Sequence, residues 1–274
     1  QVFIRQAYKV LTNHKFLKQN LNFTTQLVIS THSSHIAIET TFGNLRYFKR
    51  LPEGTECAVA TSKVINLSDV FGDSDQTNKF VTRYLQSTHC DLFFADAAIL
   101  VEGVAESMLL PHFIRSKFPE LYQRYITILG VNGRHAHRLS PLIEKLCLPT
   151  LVITDLDPAE KEGYHKSVVP KRGEGQISGN YAIAKWLMKE KDIDKLVDYS
   201  EDKKEFSFAS PYRFSIRLAY QTPVKVDFEG EEKEAIPGTF EDCLIYTNYD
   251  LFKKIKVTDS GNLVEQTHDL LNSN

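Results

Sequence analysis

No apolar stretch in this sequence approaches the roughly 20 residues that cross a bilayer as a helix. The chain also lacks a charged-then-apolar opening of the signal-peptide type, so a cytosolic (cytoplasmic) protein with no membrane partner is expected. Its four cysteines, Cys57, Cys90, Cys147 and Cys243, stand singly, without the CxxC pairs of a zinc site or the density of a disulfide scaffold. They read as ordinary buried thiols. Net charge is nearly absent too: a formal charge of -2 gives no global attraction for a polyanion, so any nucleic-acid contact must come from a local basic patch or from bound cations. No GxxxxGK[ST] phosphate loop occurs, which excludes P-loop nucleotide binding by these residues alone. Internal repeats and low-complexity tracts are missing as well.

What is present is a globular composition, 42% hydrophobic over 274 residues, enough for one large domain or a medium domain with a partial one. The chain opens at Gln1 on what reads as a helix over 1–21 already under way, which predicts a piece of a longer protein. A β-branched apolar run at 26–30 (QLVIS) reads as a buried strand ending in the polar loop THSS. A further strand is expected at 45–49, and apolar residues at helical spacing over 68–89 predict a connecting helix.

The most regular stretch follows. Strands are expected at 97–101, 125–129 and 150–154, with helices at 105–117 and 138–146 between them. That βαβαβ order implies a parallel sheet with right-handed crossovers, whose ligands sit at the carboxyl ends of the strands. Beyond it, a helix is expected near 181–190 and two strands within 206–226.

The chemistry-bearing residues fall at those strand ends. The strand 99–101 delivers Glu102, Gly103 makes the turn, and Glu106 falls in the first turn of the next helix. Two strands on, LVIT delivers Asp155 and Asp157 across a single residue, so that period-2 geometry can aim both carboxylates to one side. Clustered carboxylates resist ionisation unless a cation neutralises them, and oxygen ligands suit Mg2+ or Mn2+. Singly, each acid has a plainer explanation, Glu102 and Glu106 as charges at a helix N-terminus and the aspartates as loop caps. Those explanations do not account for the joint order strand-Glu, helix, strand, helix, strand-DxD.

The loop 161–172 (KEGYHKSVVPKR) follows the DxD and carries Lys161, His165, Lys166, Lys171 and Arg172 with few acids. It is either a guide for a phosphate backbone or a solvated surface loop. The GxxG turn at 130–133 and the alternating His135 and His137 read as structural or, at most, substrate-facing. Trp186, Leu187 and Met188 fit a core-facing stripe.

At LVEGVAE and TDLDP the sequence resembles the Toprim domain shared by topoisomerases, primases, small nucleases and the OLD (overcoming lysogenization defect) family. DLFFADAAILVEGVAESMLLPHF, SGNYAIAKW and GTFEDCLI resemble the OLD form, in which an acid of the last segment joins the metal site. Glu241 matches that acid best, with Asp242 second. LVISTHSSHIA resembles the switch-histidine strand of ABC-type ATPases, in which His32 would sense a γ-phosphate.

The resemblance implies an α/β fold: a Rossmann-like Toprim domain with a mainly parallel sheet flanked by helices, over 93–274. Before it would come the C-terminal remnant of an ABC-type ATPase over 1–52 and a partly helical linker over 53–92. It further implies a DNA endonuclease or nickase with Glu102, Asp155 and Asp157 catalytic, metal held by these with Glu106 and Glu241, and two Mg2+ or Mn2+ ions. DNA contacts would fall to Lys161, Lys166, Lys171 and Arg172. ATP would bind only in the full-length parent, expected to be a homo-oligomer, with an accessory protein if it acts in phage defence rather than repair. The family's catalytic lysine lies downstream of the GTFED-like segment, where Lys253, Lys254 and Lys256 occur without a motif that selects one. A topoisomerase- or primase-like Toprim protein, or a non-catalytic DNA-binding and dimerisation module, remain the alternatives.

Overall fold

A computed structural model of the chain describes residues 28–33, 42–51, 59–70, 90–131, 135–161, 166–209, 212–228 and 230–253, with a few isolated positions. Contacts divide it into two units, residues 1–96 with 144–146, and 97–143 with 147–274. In the first unit, strand β1 (Arg46–Leu51) pairs antiparallel with β2 (Thr61–Asn66), Arg46 opposite Asn66 and Leu51 opposite Thr61. β1 matches the strand expected at 45–49. The strand expected at 26–30 is not found in its described part: 28–30 have no regular structure and Val28 is 82% exposed. A strand holds only where a neighbour completes its ladder, and none of the described residues does so here. The rest of that run, and most of the helices expected at 1–21 and 68–89, lie outside the described residues.

The second unit is built on a five-stranded sheet in the order β4 (Ile126–Gly130), β3 (Ala97–Val101), β5 (Thr150–Ile153), β9 (Phe214–Ala219), β8 (Glu205–Phe208). It also holds a short antiparallel pair, β6 (Pro158–Ala159) with β7 (Ile177–Ser178). In the large sheet β3, β4, β5 and β9 run parallel, and β8 closes one edge antiparallel to β9. Between β3 and β4 runs α1 (Val104–Lys117), and a 3-10 turn at Ala136–Leu139 leads into α2 (Ser140–Leu146) before β5. β3 is apolar without alternation, AAILV, because both of its faces are covered. Accordingly, Ala98, Ile99, Leu100 and Val101 are all buried.

The topology decides where a site can form. From β3 the chain crosses to β4 on one side, then returns to β5 on the other side of β3. That reversal opens a crevice at the carboxyl ends of β3 and β5. Glu102 follows the first of these strands and Asp155 the second.

Beyond the sheet, the helix expected at 181–190 shrinks to one wide π-type turn, Ala182–Trp186. It cannot continue because Lys189 takes a left-handed backbone, φ +57°. A short helix α3 (Ile193–Val197) follows, with Asp192 capping it through Lys195 N–H. The segment expected to hold two strands instead contributes to three, β8, β9 and β10 (Val224–Phe228). β10 forms a hairpin with β11 (Glu231–Ala235), turning at Gly230 with φ +85°. Under the hairpin, Val226, Phe228 and Ala235 pack with Tyr246 of α4 (Phe240–Thr247). α4 packs against α1. No described helix is long and apolar enough to cross a membrane. Among the described cysteines Cys90, Cys147 and Cys243 are free thiols, the first two buried.

Candidate metal centre

Glu106, in the first turn of α1, is 3% exposed. A buried acid is tolerated there because free N–H groups and the helix dipole favour negative charge. Its carboxylate folds back over Gly103: a Cβ at that position would meet Glu106 Oε2 at 2.5 Å. Only a glycine admits this approach.

Glu102 is held by two neutral donors. Thr154 Oγ1 donates to its Oε1, and Asn180 Nδ2 donates to the same oxygen at 2.7 Å. Asn180, 0% exposed, also donates to Thr154 Oγ1 at 2.8 Å and to Asp157 Oδ2 at 3.1 Å. Its own carbonyl oxygen accepts from Ala182 N–H at 2.9 Å, which locks the amide's orientation. One side chain thus bonds the acid after β3 and the second acid after β5. Gln221, just beyond β9, does the corresponding work for Asp155: its amide donates to Asp155 Oδ1, while its carbonyl accepts from Leu156 N–H at 2.9 Å.

Asp155 and Asp157 do come to one locality, but not by strand alternation. β5 stops at Ile153, Leu156 between the acids is fully buried, and Asp157 adopts a left-handed backbone with φ +48°. Aspartate tolerates that conformation better than most residues, and such strain concentrates at functional positions.

The electrostatics register the convergence. Burial pushes the Asp155 carboxyl up to about 7, against the Gln221 hydrogen bond, and the charges of Glu102, Asp157 and Glu106 push it further. Glu102 is raised likewise, first by burial and then by Asp157 and Glu106, with Thr154 and Asn180 pulling the other way. Among the described residues, however, no three acids, histidines or cysteines stand as close as a single ion's ligand shell requires. The donor set itself, oxygen only with one oxygen of Glu102 and one of Asp155 already fixed by neutral donors, suits a hard divalent ion.

Glu241 is exposed at the start of α4, on a helix that packs against α1. Asp242 is engaged in holding the start of that helix. Thr239 Oγ1 accepts from Asp242 N–H, while Asp242 Oδ2 accepts from Thr239 N–H at 3.1 Å and Gly238 N–H at 3.2 Å. That is a capping box. A pocket of about 470 Å³ opens beside Asp157, lined among others by Lys166, Val168, Pro170, Gly238 and Asp242.

Of the expected DNA-contacting residues, Lys161 and Lys166 are exposed, Lys171 is half-buried, and residues 162–165, His165 included, lie outside the described residues. Arg172 is engaged with Asp198 at 2.8 Å and Glu234 at 2.7 Å, so a phosphate would compete with two carboxylates for it. His32 is exposed and belongs to the first unit. Lys253 ends the described stretch, with Lys254 and Lys256 outside it.

Residues 93–157 match the family described as overcoming lysogenization defect protein-like, TOPRIM domain. These residues are similar to an OLD-like Toprim domain. Glu102, Glu106, Asp155 and Asp157 all fall within it. Over 290 aligned positions the chain is 28% identical to a protein named Endonuclease GajA from Bacillus cereus (strain HuB5-5), covering 98% of this chain and 38% of that protein. The chain therefore spans about 38% of the length of the curated relative it matches. Asn180 and Gln221 lie outside the Toprim match, and sequence reasoning missed both. SGNYAIAKW drew notice as a motif without singling out Asn180; nothing marked Gln221.

Proposed function

We propose that the chain is the hydrolytic portion of an ATP-linked endonuclease that cleaves or nicks DNA with divalent cations. The observation that carries this reading is the single Asn180 amide bonded to both Glu102 and Asp157, with Asp155 raised to about 7 by burial and by the same acids' charges. Buried, mutually repelling carboxylates at a sheet's switch point favour a bound cation over their own ionised state.

In this reading Glu102, Asp155 and Asp157 hold Mg2+ or Mn2+, with Glu106 and Glu241 completing the set. Two such ions, if bound, would supply Lewis-acid chemistry that activates water and neutralises charge on the phosphate oxygens. Hydrolysis adds the water oxygen to phosphorus and breaks the P–O3′ bond; the water's lost proton is balanced by one gained at the departing oxygen. The chain's own part is orientation. Thr154 and Asn180 fix Oε1 of Glu102, and Gln221 fixes Oδ1 of Asp155, which would leave each acid's other oxygen for an ion. The exposed Lys161 and Lys166 follow the DxD and would steer the phosphate backbone with little sequence preference. ATP binding with His32 as its sensor, a homo-oligomeric parent in the cytoplasm, an accessory partner and a role in phage defence or DNA repair complete the proposal for the longer protein.

The test is incubation of the purified chain with supercoiled and linear DNA across Mg2+, Mn2+ and Ca2+, with and without EDTA. Nicking or degradation that EDTA stops, and that Asp155→Ala abolishes while the protein stays folded, supports hydrolysis. Covalent protein–DNA adducts would reassign the domain to strand transfer. DNA binding indifferent to chelator, with no cleavage under any ion, would leave a scaffold.

A further inference from the structure

Beside the carboxylates stands a group of side chains to which the hydrolytic reading assigns no part. Asn180 is buried against Glu102, and the next residue, Tyr181, turns outward and is 42% exposed. The His137 ring lies 5.3 Å from the Tyr181 ring at 37°, and Lys185 Nζ sits 4.4 Å from the same ring's centre. These residues reach one spot from separate elements. His137 belongs to the turn that follows the carboxyl end of β4, whereas Tyr181 and Lys185 belong to the π-type turn behind Asn180. Both origins lie at the end of the sheet that carries Glu102.

A singly exposed tyrosine ordinarily needs no explanation. This one is flanked by a histidine ring and a lysine, one residue from the amide that orders the acids. A π-type turn in place of an α-helix is itself a geometry enriched at functional sites. The chemistry that fits an aromatic face with an adjacent ammonium is an unpaired nucleotide, whose base stacks on the ring while its phosphate takes the cation. A duplex fits poorly, because its bases are already stacked on one another. The Lys185 contact does not block the seat: an exposed cation–π contact is weaker than base stacking, and the ammonium gains a phosphate when it moves.

We propose that Tyr181, His137 and Lys185 seat an unpaired nucleotide of the DNA strand whose phosphodiester reaches the carboxylates. The proposal rests on reading those carboxylates as a nucleic-acid hydrolase site, and it makes melted or single-stranded DNA the preferred local substrate.

Binding is measured in EDTA, where no cleavage occurs, by fluorescence anisotropy of a labelled oligothymidylate and of a matched duplex. Tyr181→Ala is expected to weaken oligothymidylate binding about 10-fold, within the roughly 5- to 150-fold that stacking of one base is worth. Tyr181→Phe should bind as the parent does, and duplex binding should change little in either variant. Lys185→Ala should reduce the salt slope by about 0.7, one phosphate's share on a single strand. Unchanged oligothymidylate binding by Tyr181→Ala overturns the seat. A second measurement needs no variant: photo-crosslinking of a bromodeoxyuridine oligonucleotide should label Tyr181 or His137, and labelling confined to other residues overturns it equally. A protein that binds through Tyr181 yet leaves plasmid intact in Mn2+ sinks hydrolysis and keeps the seat. One that cuts plasmid while Tyr181→Ala binds normally sinks only the seat.

Discussion

Asn180 donates its side-chain amide to Glu102 Oε1 at 2.7 Å, although 78 residues separate the two in sequence. Through the same nitrogen it reaches Asp157 Oδ2 at 3.1 Å, so one neutral group ties the two acids together. Truncation to alanine frees both carboxylates to drift apart. Asn180→Ala is expected to raise the Mn2+ concentration for half-maximal nicking about 10- to 100-fold, the usual range for a residue that orients metal ligands. Maximal rate at saturating Mn2+ should fall less. A loss of maximal rate with unchanged Mn2+ dependence would mean that Asn180 does not act through the ion site.

The raised Asp155 carboxyl sets a pH dependence whose direction can be worked out. In the unfolded chain an aspartate titrates near 3.9, about three units below its folded value of about 7. Between those values the folded state binds more protons than the unfolded one, so its stability is fully present below about pH 4 and is lost as pH rises through 7. Glu102 is shifted in the same direction. The metal-free melting temperature should therefore fall between pH 5 and 8, with Asp155→Asn flattening the fall. Mn2+ should reverse it, since ion binding displaces the proton. At subsaturating Mn2+, cleavage should drop about tenfold per pH unit below 7. A metal-free melting temperature that climbs over this range would contradict the burial of Asp155.

How far the sequence discloses this site depends on which physics each part uses. The β3-α1-β4-α2-β5 order is legible because buried parallel strands need unbroken apolar runs such as AAILV. Glu102 and Asp155 are legible because they immediately follow such runs. Asp157 is legible as a residue but not as a geometry: its left-handed backbone replaces the alternation that a strand would have given. β11, EEKEA, shows no apolar alternation, and only its pairing with β10 makes it a strand. Asn180 and Gln221 are hidden because neutral amides reach the acids from 78 and 66 residues away, a relation that no local pattern encodes.

Gly103 tests whether Glu106 belongs to the ion site. A Cβ there would meet Glu106 Oε2 at 2.5 Å, and the clash is with the far end of a side chain rather than with backbone. The φ of -118° is open to alanine, so the carboxylate moves and the fold stays. Gly103→Ala should leave the melting temperature within a few degrees of the parent while lowering Mn2+-dependent nicking by roughly 10-fold or more, in line with losing an oriented ligand. Equal activity in the variant would remove Glu106 from the metal shell.

Glu241 and Asp242 are adjacent acids, and the geometry assigns them opposite sensitivities. Asp242 closes the capping box of α4, accepting from Thr239 N–H and Gly238 N–H, whereas Glu241 is exposed. Replacing a capping side chain by alanine costs about 1 kcal/mol, so Asp242→Ala should lower the melting temperature measurably. Glu241→Ala should leave it nearly unchanged. If Glu241 completes the ion site, its alanine variant should instead raise the Mn2+ requirement for nicking about 10-fold at unaltered stability. Finding that Asp242→Ala, at a temperature where it is fully folded, shifts the Mn2+ requirement while Glu241→Ala does not would exchange the two roles. Asp242 would then have to leave its cap to reach an ion, and the N-terminal turn of α4 would open when metal binds, which hydrogen exchange at Gly238 and Thr239 would detect directly.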